Sequence, residues 1–388
     1  MSSYWRLACG WLTLFVVGTD LFIVSPLLPS IAATFGLSDA IAGLGVTVFS
    51  LTYLVSAPLL GRFADRIGRR HSLLACLFGF GLANVFTAVA PGFSWLLVAR
   101  VIAGATAAGI SPIIYAGVGE AAPADRRATW MSIAVSGLLL ALSVGAPASA
   151  MIANRWDWRV PFLAIAVLSL ALIVANRVVW PADPQRDGKP MASISTGNYK
   201  EMAIYLLPTV LWATPIYSVY TYLGSWLTSA GLTSSEIARA ISFYGAGALA
   251  GTLLGGQLAD RLGTHKTMLI SLAGLAVGLA LLAAGEDTGW RMDITLFFLS
   301  VFAQFFFPAQ QASLGARFPQ RRIFILALNN SALFLGISLG SLIGGEAMVW
   351  SGFAGNAALA TAIASFAWIF VAKRKIYSRV TEQKITAA

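Results

Sequence analysis

Long apolar runs dominate the chain, and short segments with charged and turn-forming residues separate them. Each run has about 20 residues, the length that a helix needs to cross roughly 30 Å of hydrocarbon, whereas a membrane-spanning strand would alternate over about ten residues. The pattern therefore predicts an all-α membrane protein with twelve transmembrane helices. These spans are predicted near residues 7–28, 40–60, 72–91, 95–118, 129–152, 160–179, 202–226, 237–258, 268–284, 292–314, 323–346 and 355–372.

The composition excludes a water-soluble fold. Of the 388 residues, 58% are hydrophobic and 11% are charged, against about 45–50% and about 25% in an ordinary soluble domain. In lipid every backbone group must be paired internally, which restricts spanning structures to helices or closed barrels. The two cysteines, Cys9 and Cys76, lie within apolar runs, so no disulfide framework is predicted.

The basic residues indicate the topology. With the N-terminus inside, 21 Lys and Arg residues fall in predicted cytoplasmic segments, 4 fall in outer segments and Arg100 falls in a span. The positive-inside rule then places both termini in the cytoplasm, and we expect a multi-pass protein of the bacterial plasma (inner) membrane. The net charge is +10, but the bases lie in short loops without interleaved aromatics, so no binding of nucleic acid is predicted. Trp156, Trp158 and Trp350 are expected to anchor at the membrane surface.

A polar segment at residues 181–200 divides the spans into two sets of six, and its prolines and glycine are typical of a cytoplasmic linker. An internal repeat supports the division, because GRFADRIG at Gly61–Gly68 recurs as GQLADRLG at Gly256–Gly263, an offset of 195 residues. We predict two pseudo-symmetric six-helix bundles at residues 1–180 and 201–372, and a cytoplasmic tail at residues 373–388. Parallel repeats of this kind place a substrate site between the halves near the midplane.

Signatures of enzymes are absent from the sequence. The only histidines, His71 and His265, have no second histidine or cysteine at ligand spacing, and no Gly-x-x-x-x-Gly-Lys-Ser/Thr phosphate loop occurs. We therefore predict a protein that is not an enzyme, has no metal or other cofactor, and draws on an ion gradient rather than on ATP.

Two ionisable residues lie far from the loops, and an ionisable group at a helix centre costs about 2.5–3.5 kcal/mol by insertion scales. Asp20 lies in span 1, where its carboxyl either carries a proton or is simply held by polar neighbours such as Thr19. Arg100 in span 4 is either a fixed counter-charge or a side chain that extends to the membrane surface, five positions from Trp95. Neither charge recurs at the 195-residue offset, so we predict that proton coupling resides in the first half.

The repeated loop is a candidate gate. Glycines permit a sharp turn between two spans, and an aspartate docked on a helix end can latch one of two conformations. The alternative is that the arginines of the loop only follow the positive-inside bias. The candidate gating residues are Gly61, Asp65, Arg66, Gly68, Arg69 and Arg70 in the first half and Gly256, Asp260, Arg261 and Gly263 in the second.

Small residues at regular spacing mark spans 5 and 11. Gly137 and Gly145 lie in span 5, Gly336 and Gly340 lie in span 11, and all four permit close approach of helices. Pro147 in span 5 also frees a backbone carbonyl and permits bending.

These motifs resemble those of the major facilitator superfamily, and in particular its twelve-helix drug/proton-antiporter-like group. The family's pattern between helices 2 and 3 is met by the first repeated loop, and RVIAGATAAGISP at Arg100–Pro112 resembles the helix 4 motif whose arginine is implicated in proton coupling. The Gly-Pro pair of the antiporters is replaced by Gly145, Ala146 and Pro147. That variant, together with WDWRVPF, VYTYLGSWL and LNNSALFLGISLGSLIGG, resembles the arabinose-efflux-permease-like branch. The resemblance implies export of sugars, purine bases or nucleosides, or drugs.

Polar and aromatic residues within the spans are candidates for the substrate pocket, and ordinary packing is the alternative for each. They are Tyr53, Asn84 and Tyr115 in the first half and Trp212, Tyr217, Tyr220, Gln304, Asn329 and Asn330 in the second. Charged residues are scarce among them, which favours a neutral or weakly cationic cargo.

We predict a secondary active transporter that exports a small organic molecule, such as a drug, sugar or nucleoside, in exchange for protons by alternating access. A proton symporter or a uniporter on the same fold is the alternative, and a non-transporting membrane receptor is a remote one. The expected partners are the small-molecule substrate, protons and the lipid bilayer, and a monomer is expected.

Overall fold

The computed structural model describes residues 3–123, 127–181, 199–285, 289–318 and 322–386. Within these ranges the regular structure is helical throughout. The helices are α1 (Ser3–Phe22), α2 (Val24–Phe35), α3 (Asp39–Ala42), α4 (Leu44–Ile67), α5 (Arg69–Ala88), α6 (Phe93–Ala121), α7 (Arg127–Leu140), α8 (Ala146–Arg155), α9 (Arg159–Val179), α10 (Tyr199–Ser229), α11 (Ser234–Leu262), α12 (Thr264–Ala284), α13 (Trp290–Gln304), α14 (Phe306–Arg317) and α15 (Arg322–Thr386). A π-helical turn, Ala141–Gly145, joins α7 to α8.

The described helices agree with twelve spans. Ten helical segments are long and apolar enough to cross a membrane, and α1 with α2, bent by 45°, provides an eleventh. One of the ten, Leu328–Lys373, has 46 residues, about twice the length that a bilayer requires. Gly352 interrupts α15 with a φ of 65° and a ψ of −168°, so this segment supplies two spans. The predicted all-α membrane fold is confirmed.

A proline explains the bend between α1 and α2. Pro26 has no N–H, so the carbonyl of Phe22 loses its helical hydrogen-bond partner. The Tyr220 hydroxyl donates to that carbonyl at 3.1 Å, and the Ser25 hydroxyl donates to the carbonyl of Tyr220. A bent span is tolerated in lipid because a neighbouring side chain pairs the freed backbone group.

The chain divides into two compact units. Unit 1 comprises Met1–Gly197 and Tyr220–Ala246, and unit 2 comprises Asn198–Val219 and Gly247–Ala388. Both α10 and α11 therefore contribute residues to each unit. The predicted bundles at 1–180 and 201–372 stay a prediction, and the predicted linker at 181–200 lies almost wholly outside the described residues.

In unit 1, small residues bring α1 close to α7 and to the π-helical turn. A Cβ added to Gly18 would lie 2.9 Å from the Cβ of Ala141, and one added to Gly145 would lie 2.3 Å from the Thr19 hydroxyl. Contacts this short leave no space for a side chain at either glycine, as in other membrane helix pairs that pack through small residues.

In unit 2, α10 and α15 pack in the same way. A Cβ added to Gly336 would lie 2.6 Å from the Cβ of Ala213, and one added to Gly340 would lie 2.5 Å from the carbonyl of Thr214. Each of these four residues stands 195 positions after its counterpart in unit 1. The internal repeat therefore extends from the loop sequence to the packing of the helices.

Candidate functional site

A buried ion pair joins the two charged residues that the sequence singled out. Arg100 on α6 donates from one terminal nitrogen to both carboxylate oxygens of Asp20 on α1, at 2.9 and 3.0 Å. Its other terminal nitrogen lies 3.5 Å from the Asp20 backbone carbonyl. The side chain of Arg100 is 2% exposed and that of Asp20 is 0% exposed. Arg100 therefore does not extend to the membrane surface, and that alternative is wrong.

An aromatic ring and an amide complete the surroundings of the pair. The ring of Phe49 on α4 faces the guanidinium, whose central carbon lies 4.5 Å from the ring centre. Asn84 on α5 is fully buried and is a further polar neighbour of the carboxyl of Asp20. Its amide nitrogen donates to the carbonyl of Phe80 at 3.0 Å, while its Oδ1 has no hydrogen-bond partner among the described residues. Helices α1, α4, α5 and α6 of unit 1 thus meet at one charge pair.

The two charges depend on each other because both are withdrawn from water. Removing one partner of a buried ion pair typically costs about 3–5 kcal/mol, since the other charge is left uncompensated. Proton uptake by Asp20 would cancel its charge and leave Arg100 unpaired. The arrangement can therefore convert the arrival of one proton into a change in the contacts between α1 and α6.

The π-helical turn Ala141–Gly145 packs against α1 beside this pair. Its last residue contacts the residue that precedes Asp20 in α1. Pro147 follows two residues after the turn, where its missing N–H interrupts the helical ladder. In α7, which precedes the turn, a Cβ added to Gly137 would lie 2.4 Å from the carbonyl of Trp11 on α1. Turns of this kind are frequent at functional sites, and this one places the predicted span 5 motif next to the ion pair.

Each candidate gating loop has one glycine outside helical geometry. Gly68, between α4 and α5, has a φ of 101°, and Gly263, between α11 and α12, has a φ of 85°; residues with a side chain rarely adopt such values. Gly61 and Gly256 instead lie inside α4 and α11. The expectation that Gly61 turns the chain is wrong, because the Arg, Phe and Ala that follow it sustain the helix for almost two more turns.

The remaining gating candidates are described only in part. The side chains of Asp65 and Arg66 lie outside the described part of the chain. Arg69 and Arg70 open α5, and Asp260 and Arg261 are exposed near the end of α11. The latch stays a prediction.

The four candidate pocket residues of unit 1 lie in three different places. Tyr53 on α4 and the half-buried Tyr115 on α6 are neighbours. Asn84 belongs to the surroundings of the ion pair. The Tyr220 hydroxyl donates a hydrogen bond to the carbonyl of Phe22 at the α1–α2 bend, so it has a structural partner.

In unit 2 the candidate pocket residues with the clearest contacts are Trp212 and Asn329. Trp212 stacks on Phe306 and Phe307, with ring centres 5.2 and 5.8 Å apart. Asn329 accepts a hydrogen bond of 2.5 Å from the Thr209 hydroxyl, while its amide nitrogen has no partner among the described residues. The other candidates of this unit are half-buried: Tyr217, Gln304 and Asn330.

The sequence analysis did not single out several buried polar residues, among them Asn176 and Asp293. Asn176 on α9 is fully buried, donates to the Thr13 hydroxyl at 3.1 Å, and accepts from the Trp180 indole at 2.6 Å. Asp293 in the first turn of α13 is 3% exposed, where the positive end of the helix dipole favours an acid. An amide or a carboxylate inside an apolar run was the available signal.

A helical membrane protein with repeated helix packing and a charge pair buried in the first repeat has the architecture of a membrane transport protein. Residues 10–235 and 202–386 match the sequence profile of the Major Facilitator Superfamily. The chain belongs to this family.

Relatives of known sequence agree with the assignment. The chain is 30% identical to the MFS-type transporter YceJ of Bacillus subtilis over 341 residues, which cover 86% of each chain. It is 29% identical over 284 residues to the chloramphenicol resistance protein of Streptomyces lividans, which cover 70% of each chain. It is also 29% identical over 286 residues to the inner membrane transport protein YdhP of Escherichia coli (strain K12), covering 70% of this chain and 71% of YdhP.

A solved structure shares the fold. A bacterial homologue of the human lysosomal transporter Spinster, in an inward-facing and unoccupied conformation, superposes with a TM-score of 0.77 at 18% identity and covers 95% of this chain and 96% of that chain. This likeness concerns the fold alone. Its membership of the Major Facilitator Superfamily makes the chain a multi-pass membrane transporter of a non-enzymatic class that carries small molecules.

Proposed function

We propose that the protein exports a small organic molecule in exchange for protons, by alternating access, across the bacterial inner membrane, with both termini in the cytoplasm. The observation that carries this proposal is the buried pair between Asp20 and Arg100. The similarity to a chloramphenicol resistance protein supports export and a drug-like cargo.

In the proposed mechanism Asp20 carries the proton and Arg100 is the fixed counter-charge. Arginine stays protonated at working pH, so only the carboxyl changes its charge. Breaking a buried pair costs about 3–5 kcal/mol, and each 1.4 kcal/mol is about a tenfold change in an equilibrium constant. We propose that the pair is made in only one of the two states, so that its loss on protonation biases the equilibrium by about two to three and a half orders of magnitude.

The cargo is proposed to be neutral or weakly cationic, such as a drug, sugar or nucleoside. Tyr53 and Tyr115 support this class, because two neighbouring phenols offer ring faces and hydroxyl groups but no charge. We assign them to the cargo route of unit 1. Asn84, next to the carboxyl of Asp20, is the polar group through which cargo and proton would influence each other.

Transport by everted membrane vesicles tests the proposal. Respiration acidifies the vesicle lumen, an acridine dye reports the gradient, and chloramphenicol, arabinose or a nucleoside is added as the probe. At least one probe should cause wild-type vesicles to release protons. No probe should do so in Asp20→Asn vesicles. Asp157→Asn is the matched control, because that acid is 49% exposed and lies 3.6 Å from Arg159 at the surface. Wild-type rates in Asp20→Asn vesicles would show that this residue does not carry the proton.

A proton symporter or a uniporter is the second candidate, favoured by the replacement of the antiporter Gly-Pro pair by Gly145, Ala146 and Pro147. Proteoliposomes with an acidic lumen distinguish the three. Antiport accumulates the neutral probe chloramphenicol in the acidic lumen, symport drives it towards the alkaline side, and uniport ignores the gradient.

A further inference from the structure

Three arginines border a small cavity at the end of unit 1 where α1 and α5 begin and α9 ends. The cavity has a volume of about 90 Å³, and Arg6, Arg69, Arg70, Gly117, Trp180 and Pro181 line it. No carboxylate is among the lining residues in the described part of the chain. Arg6 precedes Asp20 by 14 positions in α1, about 21 Å along a helix, and the proposed transport mechanism does not use this cavity.

The aromatic wall of this cavity is held rigidly. The Trp180 indole donates to Asn176, which in turn donates to the Thr13 hydroxyl on α1. Gly117 on α6 makes space for the ring, since a Cβ added there would lie 2.5 Å from an indole carbon. The cavity is therefore part of the packed structure of α1, α6 and α9 and not a gap between mobile side chains.

The cationic side is partly desolvated. The Nε atoms of Arg6 and Arg70 are buried and have no hydrogen-bond partner among the described residues. A terminal nitrogen of Arg70 lies 3.4 Å from the Trp180 carbonyl, which fixes the direction of this side chain. Arg69 is the first residue of α5, so the positive end of the helix dipole adds to the potential of the cavity. The side chains of Arg6 and Arg70 are half-buried, and their guanidinium groups favour an anion in this cavity.

The size and shape of the cavity select the class of anion. A water needs roughly 10–15 Å³ of such volume, so this cavity accepts a compact group of several heavy atoms. Guanidinium groups present paired donors that match phosphate oxygens. A carboxylate would use fewer of these donors than a tetrahedral oxyanion does.

We propose that this cavity binds a phosphate-type oxyanion, held by Arg6 and Arg70 beside Trp180. Its source is either the phosphodiester of an anionic phospholipid or a free phosphate. Tyr4 and Trp5, which precede Arg6 in sequence, are 66% and 62% exposed, as aromatic anchors at a membrane surface are. The positive-inside bias explains why arginines occur at this end, but it does not explain why two arginines that line a cavity have buried Nε atoms without a partner among the described residues.

Two binding measurements on the purified full-length protein test the proposal and identify the source. In detergent, inorganic phosphate is titrated into the protein in a sulfate-free buffer, and the thermal stability of the protein is recorded. Matched additions of chloride are the control. In nanodiscs of phosphatidylglycerol or of phosphatidylcholine, native mass spectrometry counts the lipid that stays bound. Stabilisation by inorganic phosphate supports a free anion, and selective retention of phosphatidylglycerol supports a lipid headgroup.

Arg6→Gln and Arg70→Gln should each weaken whichever binding is seen by at least about tenfold, as expected for loss of one charge-assisted contact. Arg70→Lys should recover part of the affinity, because it retains the charge without the paired donors. Arg177→Gln is the matched control, an exposed base on the last turn of α9 outside the cavity lining. The proposal is overturned if neither probe binds, or if binding is equally strong in Arg6→Gln, Arg70→Gln and Arg177→Gln.

Discussion

The Asp20–Arg100 pair should show a large energetic coupling in a double-mutant cycle. Asp20→Asn keeps one acceptor near the Arg100 nitrogen but removes the charge, so the guanidinium, 2% exposed, loses its compensation. We expect a loss of about 3 kcal/mol, the lower end for a broken buried pair. Arg100→Gln leaves an uncompensated carboxylate and should cost about 3–5 kcal/mol.

The double variant Asp20→Asn/Arg100→Gln removes both charges and leaves two amides that can bond to each other. It should cost only about 2–3 kcal/mol, which is well below the sum of the single losses, so the coupling energy is about 3 kcal/mol or more. Unfolding of the detergent-solubilised protein by sodium dodecyl sulfate, followed by tryptophan fluorescence, measures all four species.

The surface pair Asp157–Arg159 is the control for the cycle. Its side chains are 49% and 30% exposed and 3.6 Å apart, and exposed pairs contribute about 0–1 kcal/mol. If the losses at Asp20 and Arg100 add to within about 0.5 kcal/mol, as they do at independent sites, the two residues do not form an energetically coupled pair and the reasoning fails.

Three further predictions test the packing. Gly340→Ala should cost about 1–3 kcal/mol by overpacking, because its Cβ would lie 2.5 Å from the Thr214 carbonyl. Gly256→Ala is the control and should not destabilise the protein, because its Cβ would meet nothing within 4 Å. Equal losses of stability in the same unfolding assay would contradict the packing. Gly263→Ala should cost about 1–2 kcal/mol through its φ of 85°, and a stability at or above wild type would refute strain at this turn. Tyr220→Phe should cost about 1–3 kcal/mol because it leaves the buried Phe22 carbonyl without its donor. Pro26→Ala in that background should recover part of the loss, because it restores a backbone N–H that can pair with this carbonyl. No recovery would show that Pro26 does not cause the carbonyl to lack a helical partner.

The sequence predicted the spans well because hydrophobic length is a local property. Helix α6, for example, covers residues 93–121, against a predicted span at 95–118. The charged ends of helices were predicted less well. Helices α4 and α11 continue through Gly61 and Gly256 to Ile67 and Leu262, because hydropathy falls before the helix ends.

The site was predicted as residues but not as an arrangement. Asp20 and Arg100 were both identified, yet they are 80 positions apart, and hydropathy does not determine which helices are neighbours. Trp158 shows the same limitation, because it was expected at the membrane surface but is 3% exposed and donates to the Thr34 hydroxyl at 2.9 Å. Trp156 and Trp350, at 66% and 84% exposed, agree with that expectation.

The most direct test of the central claim is the number of protons that leave the protein when cargo binds. A weakly buffered solution of the purified transporter, monitored with a pH-sensitive dye, receives the probe that is active in vesicles. About one proton should be released per wild-type molecule at a pH where Asp20 is protonated, and none from Asp20→Asn, since one carboxyl is proposed to exchange its proton for cargo. Equal proton release from the wild type and from Asp20→Asn would contradict the account.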